Sequence, residues 1–177
     1  ISGIIYVRTI KFYKDNTVGS RLTIIECAYI AGFLDGDGSI MLQVKKRSDS
    51  KRGWRIMATI CLYQDTRHEA SLLWIRKKLG IGYISHRNDN MTEVRINGFK
   101  QIRDILILLL PYIKFKKLQA KAVFAACGLL SRKSINIFTK KEKEKLLHYI
   151  LTVQENNYTT RLKKSKEELE NIVGLTP

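Results

Sequence analysis

Hydrophobic and polar residues along this chain switch between a helical period and strict alternation, and each switch falls at a turn or start signal. Thr23-Ile24-Ile25-Glu26 has the form of a capping box, in which hydroxyl and carboxylate each satisfy an orphan amide. A helix is predicted from there to about Leu34, stopped by the glycines at 36 and 38. Two alternating segments follow. In the first, Ile40, Leu42 and Val44 point one way and Met41, Gln43, Lys45 and Arg47 the other. In the second, Ile56, Ala58, Ile60 and Leu62 oppose Arg55, Met57, Thr59, Cys61 and Tyr63, with a polar, basic turn over 48–53 between the strands.

Thr66-Arg67-His68-Glu69 has the same capping-box form and predicts a helix through Leu72, Ile75 and Leu79, closed at Gly80. A second hairpin is expected near 82–87 and 92–97, turning at Asn88-Asp89-Asn90. Helices near 99–110, 116–130 and 140–154 complete the core, the last started by Thr139-Lys140-Lys141-Glu142. Residues 1–22 hold no period and read as an N-terminal extension. A single domain spans 23–155, and 156–177 is a polar C-terminal segment of the same domain. Helix, hairpin, helix, hairpin, helices is an α+β order with one four-stranded antiparallel sheet.

Charge changes this picture. Lys and Arg number 32 against 16 Asp and Glu, a formal net charge of +16, which favours polyanionic partners. One sheet face is apolar, whereas the other carries Gln43, Lys45, Arg47, Arg55, Arg87 and Arg95. Such donors suit base edges and phosphates, and a two-stranded ribbon fits the major groove. A membrane partner is disfavoured, because the longest apolar run, 105–113, contains Pro111 and falls short of the roughly 20 residues that span a bilayer. No signal-peptide pattern opens the sequence, and Cys27, Cys61 and Cys127 form no CxxC pair, so an intracellular, reducing setting is expected.

The chemistry concentrates in Ala28-Tyr29-Ile30-Ala31-Gly32-Phe33-Leu34-Asp35-Gly36-Asp37-Gly38-Ser39-Ile40. Ala28, Gly32 and Gly36 recur every four residues and make a helix stripe poor in side chains. The stripe suits close approach of a second copy of the helix, and equally a tight helix–sheet contact within the chain. Asp37 sits where helix gives way to strand. Two such helices about a twofold would bring two Asp37 carboxylates together, and like charges so close call for divalent cations. An Asp-Gly turn without chemistry is the plainer alternative. An EF-hand loop opening at Asp35 fails, since its sixth position would be Ile40 and its twelfth Lys46.

This stretch resembles the signature of the LAGLIDADG homing endonucleases, and the run of elements from 23 to about 153 is similar to the single-motif members, which act as homodimers. The resemblance implies an α-β-β-α-β-β-α fold with a saddle-shaped sheet for DNA. It implies Mg²⁺-dependent hydrolysis of a long pseudo-palindromic double-stranded site with 3′ overhangs, in the service of intron homing, with Mn²⁺ able to substitute. It makes Asp37 the catalytic metal ligand, with the Gly36 carbonyl close to the metal. Gln64 matches a water-positioning residue, Lys116 an active-site lysine and Lys114 a backbone-contacting one. A helix-start role for Gln64 and a solvated face for the lysines are the plain alternatives. Arg67 or His68 falls at the active-site periphery.

DNA contacts are expected from Ser39, Gln43, Lys45, Arg47, Arg55, Met57, Thr59, Cys61, Ser85, Arg87, Glu93 and Arg95, with Lys51 and Arg52 on phosphates. Ala28, Gly32 and Gly36 line the expected dimer interface. The family also includes RNA-splicing maturases and non-cleaving DNA-binding proteins, the rival reading, under which RNA would be a partner. Gly80-Ile81-Gly82-Tyr83-Ile84 resembles the GIY-YIG nucleases only in outline, because the required spacing and catalytic residues are absent. His86 and His148 lack metal-ligand spacing and read as structural.

Overall fold

The computed structural model describes residues 22–48, 53–158 and 163–175. The extension over 1–21 and the turn residues Lys51 and Arg52 lie outside them. Helix α1 (Ile24–Asp37) begins as its capping box dictates, with the Thr23 hydroxyl accepting the Glu26 amide at 3.2 Å and the Glu26 carboxylate accepting the Thr23 amide at 2.8 Å. It does not stop at Leu34, as the glycines suggest, but runs through Gly36 to Asp37. The physical reason comes from elsewhere in the chain. The Lys116 ammonium donates to the carbonyls of Leu34, Asp35 and Gly36, satisfying acceptors that a helix end leaves open. Gly38 then turns the chain into strand β1 (Gly38–Lys46), and only glycine fits, because a Cβ there would lie 2.6 Å from the Leu34 side chain and 2.7 Å from its carbonyl.

Strand β2 (Trp54–Asp65) returns antiparallel to β1. After a single 3₁₀ turn over Thr66–His68 comes α2 (Ala70–Leu79), then strands β3 (Tyr83–His86) and β4 (Met91–Asn97). The sheet order is β1-β2-β4-β3, with every neighbouring pair antiparallel. Ile40, Ile60 and Ile96 share one row, as do Leu62, Val94 and Ile84. That register keeps the alternating aliphatics on the helix side, where a one-residue slip would expose them all. Helices α3 (Phe99–Leu109), α4 (Lys117–Leu130) and α5 (Lys140–Asn156) pack on this face together with α1. Fully buried Ile30, Leu34, Ile102, Ile105 and Leu106 fill the layer, each stabilising the fold by roughly 1.5–3 kcal/mol.

Two details depart from the sequence pattern. The Thr66–Glu69 capping box does not form: the Asp65 carboxylate accepts the Arg67 amide at 2.9 Å, and Glu69 makes no side-chain cap. The Glu69 carboxylate is instead held by His86 Nε2 at 2.7 Å and the Thr92 hydroxyl at 2.9 Å, out of reach of the helix start. The polar C-terminal segment contains a further helix, α6 (Lys166–Val173), whose cap is Ser165 accepting from the Glu168 amide at 3.1 Å. Leu169 and Val173, one turn apart, anchor α6 in the core. Among the described residues no helix is long and apolar enough to cross a membrane.

Candidate active site and nucleic-acid interface

The site is assembled at the end of α1. Asp35 faces inward, only 7% exposed, and its carboxylate accepts the amides of Lys114, Phe115 and Lys116 at 2.5, 3.1 and 3.0 Å. These contacts fasten the loop before α4 against α1 and thereby aim Lys116 at the helix-end carbonyls. Burial lowers the Lys116 pKa, opposed by the nearby Asp35 and Asp37 charges. Sequence reasoning missed Asp35, although its place in the signature motif and its neighbours' small side chains mark it as a residue the packing could reach. Asp35→Ala is expected to leave three amides without their acceptor and to destabilise the chain by about 2–4 kcal/mol. Thermal melting should register this as a fall of about 5–15 °C. An unchanged melting temperature would show that the loop holds itself.

Asp37 is different in kind. Its carboxylate is exposed and accepts no hydrogen bond from any described residue. With Gly38, Tyr63, Gln64 and Met91 it lines a cavity of about 330 Å³, so the fold brings Asp37 and Gln64 together. Gln64 Oε1 accepts the Asp65 amide at 2.9 Å, which fixes the side chain and leaves its NH₂ group for another partner. Tyr63 shares this cavity and an adjoining one with Ser39 and Lys116. Its hydroxyl lies 3.4 Å from the Ser39 hydroxyl, and burial pushes its pKa up to about 12, so it stays a neutral donor. The outward alternation on β2 next to Gln64 was the signal that could have singled Tyr63 out. Arg67 makes a two-pronged ion pair with Asp65 at 3.0 and 2.8 Å, and both Arg67 and His68 are exposed at the edge of this region.

The stripe on α1 faces away from the other described residues. Ala28, Gly32 and Gly36 are all exposed, and a Cβ built on Gly32 or Gly36 meets nothing within 4 Å. Among the described residues, no helix–sheet contact uses these glycines. Ile25 and Tyr29 flank them, and Tyr29 packs edge-on against Trp74 of α2 at 5.6 Å.

The outer sheet face divides into two zones. Lys45, Arg47, Arg55 and Arg87 are exposed, as is Lys114 beyond the sheet, while Ser39, Gln43, Met57, Ser85 and Arg95 are half-buried. Arg87 pairs with Asp89 at 2.9 Å and lies 6.0 Å over the Tyr63 ring. Thr59, Cys61 and Glu93 share the outward register but are buried, unlike the other described positions expected to meet DNA. The Thr59 hydroxyl donates to Asn97 Oδ1 at 2.9 Å, and Cys61 Sγ donates to Glu93 Oε1 at 3.7 Å. Strand alternation gives the face a side chain occupies, and its accessibility is then set by cross-strand neighbours.

An antiparallel sheet with helices on one face, a basic opposite face and a helix-end carboxylate define a class of α+β proteins with one cationic sheet surface. The family model described as LAGLIDADG endonuclease matches residues 30–127. The chain belongs to this family. The DNA endonuclease I-CvuI of Chlorella vulgaris is 36% identical over 99 residues, 56% of this chain and 62% of that protein. The DNA endonuclease I-CreI of Chlamydomonas reinhardtii is 32% identical over 95 residues, covering 54% of this chain and 58% of that protein. The matched region thus spans about three-fifths of these curated relatives' own length. Among solved structures, I-CvuI bound to its target in 2 mM Ca superposes with a TM-score of 0.72 at 26% identity, covering 86% of this chain and 94% of that one. The archaeal intron-encoded I-Vdi141I complexed with DNA shares the fold, with a TM-score of 0.72 at 18% identity over 85% of this chain and 96% of that one.

Proposed function

We propose that two copies of this chain form a site-specific double-strand DNA endonuclease that depends on a divalent cation, Mg²⁺ with Mn²⁺ as a substitute, and cuts a pseudo-palindromic target. The observation that carries this reading is Asp37: an exposed carboxylate that accepts no hydrogen bond from the described residues, at the end of a helix whose glycine face none of them covers. The Asp37 carboxylate is a hard oxygen donor of the kind Mg²⁺ takes, and the Gly36 carbonyl, which accepts from Lys116 at 3.2 Å, has a second lone pair that would serve the same ion. Among the described residues no three His, Cys, Asp or Glu side chains converge within one chain. The remaining ligands would therefore come from the second Asp37, DNA phosphates and water.

When bound, the cation would neutralise charge on the scissile phosphate and lower the pKa of a nucleophilic water. The chain's own residues do the rest. Gln64 orients water through its free NH₂ group, across the cavity it shares with Asp37. Lys116 adds fixed positive charge beside that cavity, preorganised by its three carbonyl contacts. Exposed Lys45, Arg47, Arg55 and Lys114 supply the sequence-independent attraction to phosphates. Twofold symmetry repeats these contacts on each half of the target. The relatives named above as DNA endonucleases support the same reading.

The test is incubation of the purified chain with a plasmid library of candidate sites in Mg²⁺ and, separately, in Ca²⁺. Double-strand breaks with 3′ overhangs at one cognate sequence are expected in Mg²⁺, and binding alone in Ca²⁺. Site binding without any Mg²⁺-dependent cutting would move the chain to a non-cleaving DNA-binding role. Selective retention of structured RNA in its place would favour a maturase.

A further inference from the structure

Glu93 is out of keeping with its surroundings. It stands between Tyr63 and Ser85 on the outward side of a basic sheet, yet is only 3% exposed. A buried carboxylate is tolerated when its charge is paired and its oxygens are hydrogen-bonded. Here one oxygen, Oε1, accepts from Arg95 Nε and also from Cys61 Sγ at 3.7 Å. Cys61 lies directly across from Arg95, with Ser39 and Tyr83 completing the same row over the four strands. Burial raises the Cys61 pKa, so the thiol remains a neutral donor to Glu93.

The consequence falls on Arg95. Its side chain is 34% exposed, and only Nε is engaged among the described residues, so both terminal Nη groups are left to face a ligand. Arg95 opens onto a cavity of about 330 Å³ bordered by Tyr83, Ser85, Arg87 and the little-exposed Glu93. An arginine without such an anchor samples many rotamers and meets phosphates as readily as bases. Held through Nε, it presents a fork of two donors at fixed direction. In the major groove that fork matches guanine O6 and N7, whereas adenine sets its own amino donor against one prong.

We infer that Arg95 reads a guanine in each half of the DNA target, and that Glu93, too buried to touch a base, is the positioning residue that aims it. This rests on the DNA-binding part of the function proposed above and not on cleavage. The hydrogen bond from Arg95 Nε to a buried carboxylate beside a solvent-facing cavity is the geometry that points there.

Selection from randomised duplex DNA in Ca²⁺ tests it, because base preference is then read from binding alone. The wild-type chain should enrich guanine at one position per half-site. Arg95→Lys keeps the cation but not the fork, and should lose at least about tenfold of that preference while retaining overall affinity. Glu93→Gln should weaken the same position several-fold and leave the others unchanged. If that variant fails to fold, Glu93→Asp, which keeps the charge one methylene short of the guanidinium, should show a smaller loss at the same position. Guanine preference unaltered in Arg95→Lys, or no guanine selected by the wild type, would overturn the assignment. Glu93 variants that melt earlier with an unchanged base profile would reduce Glu93 to a strand-pairing role. A parallel Mg²⁺ digest of the recovered sequence separates the two readings: no cutting counts against the endonuclease, and the base profile alone decides the role of Arg95.

Discussion

Asp37→Asn is expected to abolish cutting while leaving site binding intact. The substitution preserves shape and removes one anionic oxygen from each protomer. Because the Asp37 carboxylate is exposed and accepts no hydrogen bond from the described chain, folding should be insensitive to it, with a change within about 0.5 kcal/mol. Affinity for DNA should hold or rise slightly, since a negative charge facing phosphates is gone. Catalysis has no such tolerance. Loss of a single preorganised transition-state contact commonly costs about 10²–10³ in rate, and here the symmetry-related pair is lost at once, so a fall of at least about 10³-fold is expected. Single-turnover cleavage in Mg²⁺, set against gel-shift binding in Ca²⁺, separates the two effects. Cleavage near the wild-type rate would show that the metal is held elsewhere.

The parts of this architecture that local chemistry specifies were legible from residue order. Both hairpins follow from alternation that leaves aliphatics on one side, and Gly80 and the Asn90 turn punctuate them with positive φ as expected. The three helices from Phe99 to Asn156 follow from long apolar periods and the Thr139 box. The juxtaposition of Asp37 with Gln64 was legible only through the resemblance to the LAGLIDADG signature, because alternation along β2 assigns Tyr63, and not Gln64, to the outward side. What escaped depends on contacts distant in sequence. The reach of α1 to Asp37 relies on Lys116, and the loop that delivers Lys116 relies on Asp35, some 80 residues away. The failed Thr66 cap reflects competition by Asp65, a charged acceptor one residue earlier, and the capture of Glu69 by His86 and Thr92. Helix α6 carries so few apolar residues that its amphipathic stripe is short, and only the Ser165–Glu168 start hinted at it. Burial of Thr59, Cys61 and Glu93 arises from side chains on adjacent strands covering one another, which no single strand's alternation encodes.

The second large effect is expected from Gly32→Leu, and its value lies in opposing signs. Within one protomer the substitution is harmless: a Cβ at Gly32 meets nothing within 4 Å, and the position is exposed in the middle of α1. Replacing glycine in a helix interior favours the helix by about 0.5–1 kcal/mol. A chain that worked alone would therefore melt slightly later, by about 1–4 °C, and lose no activity. If α1 meets its own copy along the glycine face, two added side chains must fit where backbones approach. Overpacking costs roughly 1–3 kcal/mol at each site, and symmetry doubles it, so dimer dissociation should strengthen by about 30-fold or more. Cutting should fall in parallel, because a separated protomer brings one Asp37 to the DNA and not two. Sedimentation across a concentration series reads the association directly, and circular dichroism checks that the helix persists. Melting must be compared at matched concentration, since association itself raises the transition temperature. A Gly32→Leu protein that stays dimeric and cuts at full rate would move the interface off this helix, and would leave the uncovered glycines without a physical reason.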